Sequence, residues 1–214
     1  MPPVEKIFWE DPYLSELKAM ITSVSKDMVT LDRTIFYAAS GGQEADTGTI
    51  GGVPVSDAQK QGTEIFYTLQ CPHGFDTGDE VLVRIDWERR YCLMRLHFAA
   101  EIILELVYRS FNRPEKIGAN ISADKARLDF LWDGRISDAF PVLEAEAKKL
   151  IGADLPIVSA YSDREQEKRF WEIEGFAKVS CGGTHVKRTG EVGSIRLRRN
   201  NIGKGKERIE ITLG

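Results

Sequence analysis

Cys181-Gly182-Gly183-Thr184-His185 sets a thiol and an imidazole at either end of a short glycine-bearing segment. These are the two side chains that zinc prefers at protein sites. Far upstream, His97 and Glu101 stand four residues apart. On a helix they share a face and can point at one atom, while Leu96, Ala100 and Ile103 pack elsewhere. The two segments together form a candidate two-part metal site. Each has an ordinary counterpart: a glycine pair between Cys and His also occurs in plain turns, and His and Glu at this spacing also form simple hydrogen-bonded pairs. The chemistry therefore depends on whether the fold brings the segments together.

With 214 residues, 42% of them apolar, the chain can bury one large core or two small ones. No run approaches the roughly 20 apolar residues that cross a bilayer. Met1-Pro2-Pro3-Val4-Glu5 also lacks the basic-then-apolar order of a secretion signal. A soluble cytoplasmic protein is the expectation, and nothing calls for an obligate protein partner. Cys71, Cys92 and Cys181 are an odd set of thiols in such a chain, so a disulfide framework is not expected and thiols are free for a metal.

The 29 basic and 33 acidic side chains leave a net charge of -4, which argues against nucleic-acid binding over the whole surface. Any RNA site must be local. One stretch, Lys187 to Arg208, is clearly basic: Lys187, Arg188, Arg196, Arg198, Arg199, Lys204, Lys206 and Arg208 outweigh Glu191 and Glu207. Such a run can equally be a solvated strand and turn. Alternation along a strand puts Arg196 and Arg198 on one side and Arg199 on the other. Arg196, Arg198, Lys204 and Lys206 are the candidate RNA contacts.

The elements that must position these residues divide the chain near residue 88. Apolar runs at Met28 to Leu31, Thr34 to Tyr37, Glu64 to Leu69 and Glu80 to Ile85, separated by glycine-rich or polar turns, predict a small β-barrel over residues 1–88. After a spacer from Asp86 to Arg90, helical spacing of Leu93, Leu96, Ala100, Ile103, Leu106 and Val107 predicts a helix from Tyr91 to Phe111, ended at Asn112-Arg113-Pro114. Strands are expected at Gly118 to Ser122 and Ala126 to Leu131. A second helix fits Ser137 to Ile151, capped by Ser137 or Asp138, with Pro141 in its first turn and Gly152 past its end. Further strands at Pro156 to Tyr161, Phe170 to Ile173, Ser194 to Arg198 and Arg208 to Leu213 would complete a mixed sheet. The fold class is α+β, a β-rich domain over 1–88 and a helix-on-mixed-sheet domain over 89–214.

The Cys181 to His185 segment is flanked by Glu172-Ile173-Glu174-Gly175-Phe176 and by Lys187-Arg188-Thr189-Gly190-Glu191-Val192-Gly193. This extended string resembles the second-domain signature of the alanyl-tRNA editing proteins (AlaX) and of alanyl-tRNA synthetase. In that family the helical string usually reads H-x-x-x-H, and both histidines bind zinc with the later Cys and His. His97, Cys181 and His185 match those ligands, whereas Glu101 stands where the second histidine is expected. Phe98 and Ala100 occupy positions where the family often carries threonine. Phe36 to Gly48 resembles the family's glycine-rich segment, with Gly41, Gly42 and Gln43 at its centre, Ser40 where a third glycine usually stands, and Ala38 and Glu44 in place of prolines. Gly118 to Phe130 resembles the strand pair that follows the metal helix.

The resemblance implies a zinc-containing hydrolase that acts in trans on alanine tRNA mischarged with serine or glycine, cleaving the ester at its 3′ end. Three arrangements are open for Glu101: an oxygen ligand at about 2.0–2.2 Å, a bystander to a metal with three protein ligands and a water, or the mark of a weak or absent site. Two other functions stay open. A zinc-stabilised tRNA-binding module without activity would favour a closed four-ligand site, and a metal hydrolase for small esters or amides would need no RNA surface. His73, in Cys71-Pro72-His73-Gly74, is expected at the surface, and Cys92 in packing.

Overall fold

The computed structural model describes residues 3–70 and 72–214, so Cys71 lies outside the described residues. The chain divides into two compact units, the first ending at Tyr91 and the second running Cys92–Gly214.

In the first unit, β1 (Glu5–Lys6) pairs in parallel with β4 (Arg33–Thr34). Six further strands, β2 (Glu16–Ser25), β3 (Met28–Leu31), β5 (Gly48–Ile50), β6 (Val53–Gln61), β7 (Glu64–Leu69) and β8 (Glu80–Ile85), close an antiparallel barrel in the order β2-β3-β7-β6-β5-β8. Ile65, Tyr67 and Leu69 of β7 and Val81, Val83 and Ile85 of β8 are buried at alternate positions, the strand period expected of a barrel wall. At Gly48 the strands approach so closely that a Cβ would lie 2.0 Å from the Arg84 carbonyl oxygen, so no other residue fits between β5 and β8.

One expected strand is shorter than its sequence suggests. Only Thr34 of Thr34 to Tyr37 lies in a strand. The Phe36 amide donates to Thr34 Oγ1 at 3.0 Å and the Tyr37 amide to Asp46 Oδ2 at 2.7 Å, so side chains take the bonds a neighbouring strand would need.

Helix α1 spans Trp87–Ser110, four residues earlier at its start than the apolar spacing indicates. The Asp86 carboxylate accepts from the Arg89 amide at 3.1 Å and so caps the helix inside the stretch expected to be a spacer. Leu93, Met94, Leu96, Phe98, Ala99, Ile102, Ile103 and Val107 are fully buried, and apolar residues on nearly every side mark a buried helix. Left-handed Asn112 and Arg113 end it before Pro114.

The second unit continues with β9 (Lys116–Ile121), β10 (Ala126–Leu131), α2 (Phe140–Gly152), β11 (Val158–Asp163), β12 (Lys168–Ile173), β13 (Ala177–Ser180), β14 (Ile195–Gly203) and β15 (Lys206–Leu213). The single mixed sheet expected here is instead two antiparallel sheets, β14-β15-β10-β9 and β11-β12-β13. Short connections join most successive partners, and only antiparallel strands can be joined so tightly. Helix α2 links β10 to β11, which lie in different sheets, so it creates no parallel pair. Neither Ser137 nor Asp138 caps α2: both fall in a 3-10 turn, Ile136–Ala139, that runs into the helix with Ala139 already helical. Gly152 is the last helical residue rather than the one beyond it, and Asp154 takes the left-handed position.

The four-stranded sheet has two unlike faces. Leu128, Phe130, Ile209 and Ile211 are buried on one, whereas the cross-strand rows Arg198, Glu210, Arg127 and Asn200, Arg208, Asp129 make the other polar. Among the described residues, no helix is long and apolar enough to cross a membrane.

Candidate metal centre

The second unit brings the two sequence segments together. His97 and Glu101 project from one face of α1, with Glu101 Oε1 3.3 Å from His97 Nε2. Cys181 follows β13, and its amide donates to the Arg169 carbonyl on β12 at 3.0 Å, which holds the residue at the sheet's end. The following segment is tied at its far end by bonds from Ile157 to Lys187 and from Thr189 to Leu155. His185 is thereby carried inward and is 4% exposed, with His97 at 5%. A Cβ at Gly182 would meet nothing within 4 Å, and Gly182 is not left-handed. Neither a tight turn nor a close approach therefore demands glycine at that position.

Cys181 Sγ lies 3.5 Å from His97 Nε2 and 3.3 Å from His185 Nε2. One ligand atom from each of the three residues lies within 4.8 Å of the other two. Zinc bonds of about 2.0–2.1 Å to nitrogen and about 2.3 Å to sulfur place tetrahedral ligand atoms about 3.3–3.6 Å apart. The two sulfur–nitrogen separations are thus close to the edges of a zinc tetrahedron. Glu101 stands outside the mutually close trio, yet its contact to His97 Nε2 has the same length. Among the described residues, its other oxygen, Oε2, is buried without a hydrogen-bond partner, a costly arrangement unless a cation or donor arrives.

The electrostatics agree with this geometry. Burial alone would lower the pKa of His97, but the Cys181 sulfur and the Glu101 carboxylate override it and push the value up to about 10. Burial opposes the ionised form of Glu101 as well, yet the neighbouring imidazoles and Cys181 bring its pKa down to about 2. Burial, then the charge on His97, pushes His185 down to about 3, so its ring is neutral and can offer a lone pair. Positive charge is drawn to the space before His97 Nε2, which a proton fills if a metal ion does not.

Sequence reasoning missed Ser159. Its Oγ lies 3.1 Å from His185 Nδ1, the second contact that a metal-binding imidazole needs to turn Nε2 toward the ion. Nothing in the local sequence marks it, because the strand pairing that places β11 beside this loop is a long-range property. Phe98 packs edge-on against both His185 and the buried Trp171, with ring centroids 5.7 and 5.2 Å apart, and so walls the site with apolar surface.

Among the described residues, none of the other candidates belongs to this cluster. Gly41 and Gly42 form the tip of a two-residue turn, with φ of 61° and 90° and reciprocal backbone bonds between Ser40 and Gln43. Gln43 is 1% exposed. Nearby is a second feature that the sequence did not reveal. Arg90, fully buried, donates Nε to Asp46 Oδ1 at 2.8 Å, pairs again with Oδ2, and bonds the carbonyls of Pro12 and Ile35 at 3.0 and 2.6 Å. Arg196, Arg198, Lys204 and Lys206 are exposed, whereas Arg199 and Arg208 pair with Glu207 and Asp129. His73 is half-buried, with Nε2 2.8 Å from the Lys26 carbonyl, and Cys92 is half-buried as well.

Comparison with known proteins adds to the geometry. Residues 7–89 match the class II (A) tRNA synthetases, and residues 169–210 match the threonyl and alanyl tRNA synthetase second additional domain. The chain is 34% identical to alanyl-tRNA editing protein AlaX-M of Pyrococcus horikoshii, across 97% of each protein. It is 32% identical to the alanine–tRNA ligase of Methanococcus maripaludis and 34% identical to that of Ignicoccus hospitalis, and it spans 26% of the length of each ligase. Near full-length similarity to AlaX-M, with the second-domain match spanning Cys181 and His185, places this chain in the family of alanyl-tRNA editing proteins.

Proposed function

We propose that the protein is a trans-acting deacylase that hydrolyses the ester between serine, or glycine, and the 3′ end of alanine tRNA. The observation that carries this proposal is the convergence of His97 Nε2, Cys181 Sγ and His185 Nε2 at zinc-ligand separations in a chain that belongs to an editing family. A synthetase pocket for alanine cannot exclude glycine by size, and it rejects an added hydroxyl only modestly, so a second hydrolytic site supplies the missing selectivity.

His97, Cys181 and His185 would hold zinc, with Glu101 beside them. When bound, zinc supplies a fixed positive charge that can orient the terminal adenosine or the aminoacyl group and polarise the ester. Ser159 holds the His185 ring in place, and Phe98 keeps bulk water from that side. Glu101 Oε2 is available either to the ion or to the substrate's ammonium group. Water adds to the acyl carbon, the bond from that carbon to the ribose oxygen breaks, and the ribose regains a proton. Arg196, Arg198, Lys204 and Lys206 would meet RNA phosphates.

The test is incubation with seryl-, glycyl- and alanyl-charged alanine tRNA, with zinc measured on the same sample. Release of serine or glycine much faster than alanine is the expected result. No release with zinc bound would leave a zinc-stabilised tRNA-binding module instead, and equal rates would remove the selectivity that editing requires.

A further inference from the structure

We infer that the polar face of the four-stranded sheet is a docking surface for the phosphate backbone of duplex RNA. The inference deepens the proposed function, since it rests on charged tRNA being the substrate. Across the face, Arg196 and Arg198 of β14, Lys206 and Arg208 of β15 and Arg127 of β10 stand against Asp129 and Glu210. Five cations over two carboxylates leave a net positive patch in a chain whose net charge is -4.

The patch differs from a random basic surface in how its negative charge is disposed. Asp129 is 6% exposed and Glu210 9%, so both carboxylates are largely covered. Arg208 forks onto Asp129 with bonds of 2.7 and 2.9 Å, and Arg127 donates to the same group at 3.0 Å. Lys125 holds Glu210 at 2.7 Å. These pairs fix Arg127 and Arg208 in the sheet and screen the acids from an incoming anion, while Arg196, Arg198 and Lys206 are exposed. Arg196 and Arg198 share one side of β14, about 7 Å apart. The arrangement offers several fixed cations to a polyanion over a broad surface.

Among the described residues, none of the paired positions on this face is aromatic. Proteins that hold unpaired bases stack them on aromatic rings, so this face lacks the means to grip a single-stranded 3′ end. Duplex RNA, met through its backbone and without base readout, fits instead.

Binding of uncharged alanine tRNA is measured across a salt titration for the wild type, for R196A/R198A, and for K148A/K149A, which removes the same charge from α2. The R196A/R198A variant is expected to bind about tenfold or more weakly, with the slope of log affinity against log salt reduced by about 2. Its zinc content should be retained. The α2 variant should behave as wild type. An equal loss in both variants would show a net-charge effect and overturn the assignment, as would wild-type tRNA binding by R196A/R198A. Loss of binding to phosphatidylserine vesicles rather than to tRNA would also overturn it. A wild type that hydrolyses seryl-tRNA while R196A/R198A binds normally sinks the surface and leaves the deacylase standing. A wild type that binds through this face but hydrolyses nothing does the reverse.

Discussion

Ser159 Oγ lies 3.1 Å from His185 Nδ1, and the same imidazole presents Nε2 to Cys181 Sγ at 3.3 Å. One ring therefore links the three-stranded sheet to the candidate metal centre, and its orientation is set by a residue outside the ligand cluster. The S159A variant is expected to fold as wild type and to bind zinc about 10–100-fold more weakly, measured by competition with a chelator. Unchanged affinity would show that packing against Phe98 alone holds the ring.

Among the described residues, Cys181 contributes the only sulfur within the candidate site, and it contacts both imidazoles. Metal analysis of C181A should show a marked loss of zinc relative to the wild type, with H97A showing a comparable loss. Full occupancy in C181A would remove the assignment. Loss in C181A with full retention in H97A would place the metal on the Cys181 to His185 segment alone.

How much of this was legible in the sequence depends on the range of the interactions. His97, Cys181 and His185 could be picked out because their side-chain chemistry is unusual and their local spacing favourable. Periodicity exposed α1, β7 and β8, whose buried residues follow helical or strand alternation. The barrel strands β2, β5 and β6 were not picked out. In β6 only Ala58 is buried, so the apolar contrast that reveals β7 is missing. Division of the second unit into two antiparallel sheets depends on which hairpins pair, and that is decided by tertiary packing. Ser159 and the Arg90–Asp46 pair escaped for the same reason: each is an ordinary residue given its role by a distant partner.

That Arg90–Asp46 pair should dominate the stability of the first unit. Both side chains are fully buried, and Arg90 also satisfies two backbone carbonyls. R90M leaves the Asp46 charge without its partner and is expected to cost about 3–5 kcal/mol in urea unfolding. R90M/D46N should recover part of that loss, because the stranded charge is gone. As a control, K18A breaks the solvent-exposed Lys18–Glu80 pair and should leave the midpoint unchanged. A near-neutral R90M would show that water reaches Asp46 and relieves it.

Glu207 supplies a pH dependence independent of the metal. Hydrogen bonds from Arg199 hold its carboxyl below the ordinary carboxylate range, and Asn201 Nδ2 donates to it at 2.9 Å. Because the folded-state pKa is lowered, the unfolded chain binds the proton first as pH falls. The contribution of Glu207 is therefore complete above the ordinary carboxylate pKa and is lost as pH drops through the lowered folded value. E207Q should be clearly less stable than the wild type near pH 7, and the gap should narrow steadily as unfolding is measured at lower pH. Glu207 lies outside the candidate metal cluster, so the comparison isolates the Arg199 interaction. A gap that stays constant from neutral pH into the acid range would mean that E207Q acts through shape and packing at this position, with the charge on Glu207 contributing nothing.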